Sequence, residues 1–274
     1  MTRLLVSVRS LDEACLAAEA GVDLIDLKEP RHGSLGRVSP DVAQLVCERL
    51  GGTRPLSMAL GELAERSAAD WEAARQIPQG ILFAKVGLAG CARVSNWPAT
   101  WQQAIGTFPP GCQPVAVIYA DWRDADAPEP DQVLDAAVAN GCRALLIDTW
   151  RKDGGNVFAH CKAPEIDALF HRAKGCGLLT VLAGSLGLDN VEAALSLSPN
   201  YLAVRGAVCN GPREGELCLH KLRQWCELVH QTAGDMLWTA EEVDRLRAEA
   251  VSMLDHHGMM HDAHAITTGQ KRRA

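Results

Sequence analysis

Eight short apolar segments recur along this chain at intervals of about 25 residues, and most of them end abruptly in polar chemistry. They cover residues 4–8, 24–28, 56–60, 81–85, 115–120, 144–148, 178–183 and 201–205. Near-continuous apolar runs suit strands buried on both faces of a parallel sheet. A parallel sheet also brings every strand's C-terminal end to the same side. The polar residues at those ends are therefore expected to share one rim: Lys28, Lys85, Asp121, Asp148, Gly184, Ser185, Arg205 and Gly206.

Helix signals fill the intervals. Ser10-x-x-Glu13 has the spacing of a capping box, and Ser39-Pro40 places a cap before a proline at the first helical position. Further helices are predicted over about 68–76, 98–105, 131–139, 164–174, 189–195 and 216–230, with Asn140-Gly141 and Gly175 as stops. Eight strand–helix units predict an α/β fold of the (β/α)8 TIM type over residues 1–233. A doubly wound open sheet is the alternative, because it uses the same local pattern. No G-x-G-x-x-G follows the first strand, and Gly33-Ser34-Leu35-Gly36, after the second, is only a fragment of that motif.

Residues 234–274 form a C-terminal helical or flexible extension in this reading. Thr239-x-x-Glu242 opens an amphipathic helix to about Leu254, and His256, His257, His261 and His264 follow among methionines. A packing arm, a frayed end and a metal-binding segment are all open readings of it.

A chain of 274 residues with 47% hydrophobic content is long and apolar enough for one large core, and α/β barrels reach this size as a single domain. A net charge of −7 argues against nucleic acid or an anionic membrane as partner. No stretch approaches the roughly 18 to 20 apolar residues that span a bilayer, and the first apolar run is too short for a signal segment. A soluble cytoplasmic protein is expected. The ten cysteines are scattered without a C-x-x-C pair, so they are read as reduced structural thiols rather than zinc ligands. Neither a metal nor another cofactor is expected.

Alternation places Asp26 and Lys28 on the same face of their strand, about 7 Å apart. An ammonium held near other cations loses its proton more readily, which makes a lysine an amine nucleophile able to form a Schiff base. Lys85 and Lys152 could supply those cations or act as acid and base. Asp148 and the further candidate Asp121 could do the same or hold the lysines in place. Gly184-Ser185 and Arg205-Gly206 follow strands seven and eight, where barrels often bind phosphate. A small phosphorylated carbonyl compound is the substrate this rim suggests. Solvated loop lysines, capping carboxylates and turn glycines are the plain alternatives.

The residues also carry a resemblance. Leu4-Leu5-Val6-Ser7, Asp26-Leu27-Lys28-x-Pro30, Gly33-Ser34-Leu35-Gly36, Lys85-Val86-Gly87-Leu88 and Tyr119-Ala120-Asp121 come first along the chain. Asp148-Thr149, Lys152-Asp153-Gly154, Leu182-Ala183-Gly184-Ser185 and Val204-Arg205-Gly206-Ala207 continue it. Over residues 4–225 the chain resembles the (5-formylfuran-3-yl)methyl phosphate synthase family, also called 4-(hydroxymethyl)-2-furancarboxaldehyde-phosphate synthase. The resemblance implies a lyase that condenses two glyceraldehyde 3-phosphate molecules into a phosphorylated furan aldehyde in methanofuran-type cofactor biosynthesis. It implies the Schiff-base lysine at Lys28, the proton-accepting lysine at Lys85, and further active-site groups at Lys152, Asp26 and Asp148. Triose phosphates are then the small-molecule partners, and a homo-oligomer is expected. Residues 122–128, Trp150-Arg151, Asn210-Gly211-Pro212-Arg213 and the chain beyond Gly234 depart from the archaeal pattern. Another class I aldolase, a triose-phosphate isomerase-like enzyme and a non-catalytic binding barrel stay open as other classes.

Overall fold

The computed structural model describes residues 2–65 and 77–231. The helix expected over 68–76 and the extension with its histidines lie outside the described residues. Eight parallel strands close on themselves in chain order: β1 (Arg3–Val8), β2 (Leu24–Leu27), β3 (Leu56–Glu62), β4 (Ile81–Gly87), β5 (Gln113–Tyr119), β6 (Ala144–Asp148), β7 (Leu179–Leu182) and β8 (Tyr201–Val204). Closure is made by β1 pairing with β8, from Arg3 opposite Tyr201 to Val6 opposite Val204. That pairing removes the open-sheet alternative, and it leaves no edge strand to protect.

The described helices are α1 (Leu11–Ala20), α2 (Pro40–Leu50), α3 (Trp97–Ile105), α4 (Pro130–Ala139), α5 (Val157–His160), α6 (Ala163–Gly175), α7 (Val191–Ser196) and α8 (Leu219–Gln231). The short α5 is not among the expected helices; Asn156 caps it by accepting the Phe158 N–H at 2.9 Å. β3 and β4 run past their apolar segments to Glu62 and Gly87, and their pairing shifts register between Ala59 and Glu62. No helix among the described residues is long and apolar enough to cross a membrane.

Strand alternation sorts the apolar residues into two cores. Leu24, Phe83, Val115, Leu146, Val181 and Tyr201 fill the barrel interior. Leu4, Val6, Ile25, Leu27, Ala116 and Ile118 point outward against helix residues such as Ala14, Ala17, Val133 and Ala137. Full burial of each such aliphatic chain contributes about 1.5–3 kcal/mol before entropy is counted. Both strand faces are thus largely apolar through the lower barrel, with Gln113 and Thr180 as buried polar exceptions, and the carboxylates and lysines of the strands stand toward the C-terminal ends.

One buried ion pair fastens the seam between β1 and β8. Arg205 donates Nη1 to Glu13 Oε2 at 2.8 Å and Nη2 to Glu13 Oε1 at 3.1 Å, a two-pronged pair from the end of β8 to α1. Its other donors go to the carbonyls of Ser7 (2.9 Å), Arg213 (2.7 Å) and Gly215 (3.2 Å). Five N–H groups meet five protein contacts. Arg205 therefore has no donor to spare for a substrate phosphate, and the role expected of it there is corrected to that of a strut. The capping box is altered by the same pair. Ser10 accepts the Glu13 N–H at 3.2 Å as expected. The Glu13 carboxylate, however, takes the Arg9 N–H at 2.9 Å and Arg205 instead of returning to Ser10. Arg205→Met would leave Glu13 with Arg9 alone as a charged partner, its Nε 3.2 Å from Oε1. Removing one partner of a buried pair costs about 3–5 kcal/mol, so the urea midpoint should fall accordingly; an unmoved midpoint would contradict the strut.

Candidate active site

Two buried carboxylates organise the C-terminal rim. Asp26 on β2 sits in register with Ser7 on β1 and Ser57 on β3. Ser7 donates to its Oδ2 at 3.1 Å and Ser57 to its Oδ1 at 2.6 Å, while Lys85 from β4 forms a very short ion pair with Oδ1. Asp148, the last residue of β6, is the second centre. Lys152 Nζ lies 2.7 Å from its Oδ1 and the Thr149 N–H 2.8 Å from the same oxygen; Ser34 Oγ is 3.3 Å from Oδ2.

Lys28 lies between these centres. Its Nζ is 3.8 Å from Asp148 Oδ2, farther than an ordinary hydrogen bond, and its side chain is only 11% exposed. Burial lowers its pKa to about 8; Asp148 and Asp26 oppose the shift, while Lys152 and Lys85 add to it. The carboxyls behave differently. Burial alone would raise Asp148, but Lys152 and Lys28, with the hydrogen bonds from Lys152 and Thr149, hold it at about 2. Asp26 is likewise held low against burial by Lys85 and Lys28. The result is an amine far less basic than an ordinary lysine, with a neutral fraction available from about pH 7 upward, between two ionised carboxylates.

The structure brings Lys28, Lys152 and Asp148 to the wall of one open cavity of about 790 Å3, with Ser7, Gly184 and Ser185. Arg205, Gly206 and Arg213 also line it, Arg205 with its donors already committed to protein acceptors. Asp26 and Lys85 are not among its walls. Lys85 instead borders a small apolar void of about 30 Å3 beneath, beside Ser57 and Phe83. Ser7 touches both levels: its hydroxyl bonds Asp26 and its edge faces the cavity. Asp121 is not in the cavity either. Its two oxygens accept the N–H groups of Trp150 (2.7 Å) and Arg151 (2.8 Å), so it shapes the loop that carries Lys152. Among the described residues no three His, Cys, Asp or Glu side chains are placed to hold a metal ion.

The Gly33-Ser34-Leu35-Gly36 segment covers part of the mouth. Ser34 Oγ donates to the Thr149 carbonyl at 2.9 Å, tying this loop to the one after β6. Leu35 is 1% exposed and joins the interior core, and its carbonyl accepts the Gly61 N–H at 2.9 Å. A Cβ on Gly36 would overlap the Glu29 carbonyl and lie 2.6 Å from His32 Cβ, so this turn takes only glycine. A motif that reads as half of a phosphate-binding loop is thus a plug.

The rim holds residues that strand-end reading missed. Glu62 and Tyr119, the last residues of β3 and β5, share a short hydrogen bond, and Glu62 also accepts the Ala89 N–H at 3.0 Å. Burial raises the Glu62 carboxyl, and burial with Glu62 beside it raises Tyr119 well above the usual phenol value. Gly87 permits this, since a Cβ there would overlap the Glu62 carboxylate and lie 2.6 Å from Tyr119 Oη. A lone Glu inside an interrupted strand gives no pattern; the only available signal was Tyr119 standing directly before the rim.

Residues 4–226 match the family described as 4-HFC-P synthase. The (5-formylfuran-3-yl)methyl phosphate synthase of Archaeoglobus fulgidus is 30% identical over 238 residues, covering 83% of this chain and 99% of that protein. The synthase of the same name from Methanopyrus kandleri is 31% identical over 233 residues, covering 83% and 98%. A solved structure of phosphoribosyl anthranilate isomerase from Thermus thermophilus superposes with a TM-score of 0.57 over 84% of this chain and 100% of that one. At 19% identity that likeness is one of fold alone. The family match spans the barrel from its first strand into its last described helix, and the chain belongs to the 4-HFC-P synthase family.

Proposed function

We propose that this chain is a (5-formylfuran-3-yl)methyl phosphate synthase that condenses two glyceraldehyde 3-phosphate molecules through an imine on Lys28. The product would serve methanofuran-type one-carbon cofactor synthesis. The observation that carries the reading is Lys28 itself: a buried lysine on the cavity wall with its pKa brought to about 8 between Asp148 and Asp26. A neutral amine adds to a carbonyl, water leaves, and the resulting iminium acidifies the neighbouring C–H. Loss of that proton gives an enamine whose carbon attacks the second aldehyde. Hydrolysis frees Lys28. Overall, two trioses lose one phosphate and two waters to give the furan.

Those steps need groups that move protons on each side of Lys28. Lys152 faces the cavity and bonds Asp148, which suits it to protonate departing oxygens. Lys85 meets the cavity only by way of Asp26 and Ser7, and to serve as proton acceptor it first passes its own proton to the Asp26 carboxylate with which it is paired. Gly184, Ser185 and Gly206 bound the same cavity and are proposed to cradle a substrate phosphate.

Incubation with glyceraldehyde 3-phosphate, with mass spectrometry of the small-molecule product, tests the reaction. The furan mass is expected, and a ketose or aldol phosphate would move the chain to a plain Schiff-base aldolase or isomerase. Borohydride added during turnover should place a triose-phosphate mass on the peptide containing Lys28. Lys28→Arg should abolish both, whereas Lys85→Ala should lose about 10²–10⁴ in rate and still trap. An adduct on a different lysine would refute the assignment.

The pH dependence follows from the same geometry. The reactive amine is the neutral form, so kcat/KM should rise with pH and level off above about 8. Lys152→Ala removes a like charge and frees Asp148 to favour the Lys28 ammonium, and both effects raise the Lys28 pKa. The rising limb of the variant's residual activity should therefore shift to higher pH. A limb that stays in place would show that Lys152 does not tune Lys28.

A further inference from the structure

The loop after β8 returns over the cavity and brings Arg213 to its wall, beside Lys28, Lys152, Ser185 and Gly206. The chemistry proposed above gives Arg213 no part. Its side chain is 20% exposed, and its polar contacts are long: Nη2 to the Gly33 carbonyl at 3.4 Å and Nε to Glu214 Oε1 at 3.9 Å. A guanidinium has five N–H donors in a plane. Most of those on Arg213 have no protein acceptor among the described residues, whereas Arg205, at the start of the same loop, spends all of its own.

Burial works against a charge at this place and lowers the Arg213 pKa, although Asp148 and Glu214 oppose the shift. A partly desolvated guanidinium with unused donors is stabilised by a bidentate anion. Space is left for one. Gly206 faces Arg213, and a Cβ added to it would stand 3.6 Å from Arg213 Cβ. The same cavity is bounded by Gly184 (φ 98°) and Ser185 (φ 51°), where the backbone turns left-handed. The cavity also carries the carboxylates of Asp153 and Glu214, so a ligand's anionic group must compete with Glu214 for the Nε edge of Arg213.

We infer that Arg213 is the guanidinium that receives the phosphate monoester of a small carbonyl substrate, in a seat bounded by Gly206 and the Gly184-Ser185 turn. This deepens the reading above and rests on it for the choice of a phosphate ester. Arg213 takes over the charge that the strut Arg205 cannot provide, and Lys28 lines the same cavity to meet the carbonyl end.

Calorimetric titration with glycerol 3-phosphate and with inorganic phosphate tests the seat without requiring turnover, because neither can form an imine. Wild-type protein should bind the ester, and Arg213→Ala should weaken it by roughly 10- to 100-fold. Arg213→Lys should recover part of the loss, since a point charge keeps attraction but not the two-pronged geometry. Arg213→Gln covers the case in which the alanine variant misfolds. Ester affinity in Arg213→Ala or Arg213→Gln equal to wild type, or no binding by wild type at millimolar ester, overturns the inference. Failure of the catalytic reading is separate: it appears as the absence of furan from glyceraldehyde 3-phosphate, with the titrations unaffected.

Discussion

The pairing of Asp148 and Asp26 with three lysines inside a closed barrel is the arrangement on which the rest of the rim depends. A charge buried without a partner is too costly to keep. Lys85 with Asp26, and Lys152 with Asp148, are each complete pairs at hydrogen-bonding distance. Lys28, left with a 3.8 Å approach to Asp148, carries the one surplus proton of the set. Two unit charges at about 4 Å interact by about 4 kcal/mol at an effective dielectric of 20. Attraction to two carboxylates is thus largely cancelled by repulsion from two ammonium groups, and desolvation decides the balance. The same sum has the opposite outcome for Asp148, where the nearby cations outweigh burial.

The surrounding loops hold this set in place. Asp121 fixes the backbone at Trp150 and Arg151 just before Lys152. Ser34 ties the plug loop to Asp148 and to the Thr149 carbonyl. Arg205 and Glu13 lock the β1–β8 seam under Ser7, whose own hydroxyl bonds Asp26. Asp121 and Glu13 touch the site only through other groups, whereas Ser7, Ser34 and Arg205 also line the cavity, and the proposed chemistry rests on Lys28, Lys152 and Lys85 with their partners Asp148 and Asp26.

Much of this arrangement is legible in the amino-acid sequence. Apolar runs buried on two faces have few other places to go, so the β6 segment ends at Asp148 as expected and Lys28 directly follows β2, whereas Lys85 stands inside β4, which continues to Gly87. Direction and partnership are what a sequence does not carry. Arg205 stands at a phosphate-binding position by its place in the chain. Its guanidinium is nevertheless captured by Glu13, a residue 192 positions away whose spacing speaks only of a helix cap. Gly33 to Gly36 looks like a fragment of a ligand loop and becomes a plug because Leu35 finds the interior core. Lys85 lies below the cavity wall, since inward-facing residues of neighbouring strands sit at different heights in a staggered barrel. Arg213 follows no strand end and carries no motif of its own, and only the return of its loop to the cavity wall gives it a place.

The central claim is that the fold itself, with no substrate present, lowers the pKa of the Lys28 amine well below the ordinary lysine value. Nitrogen-15 NMR of the lysine side chains, with Lys28→Arg to assign the signal, measures this directly. The Lys28 Nζ resonance is expected to titrate at about 8. A titration near the ordinary lysine value of 10.5 would contradict the claim.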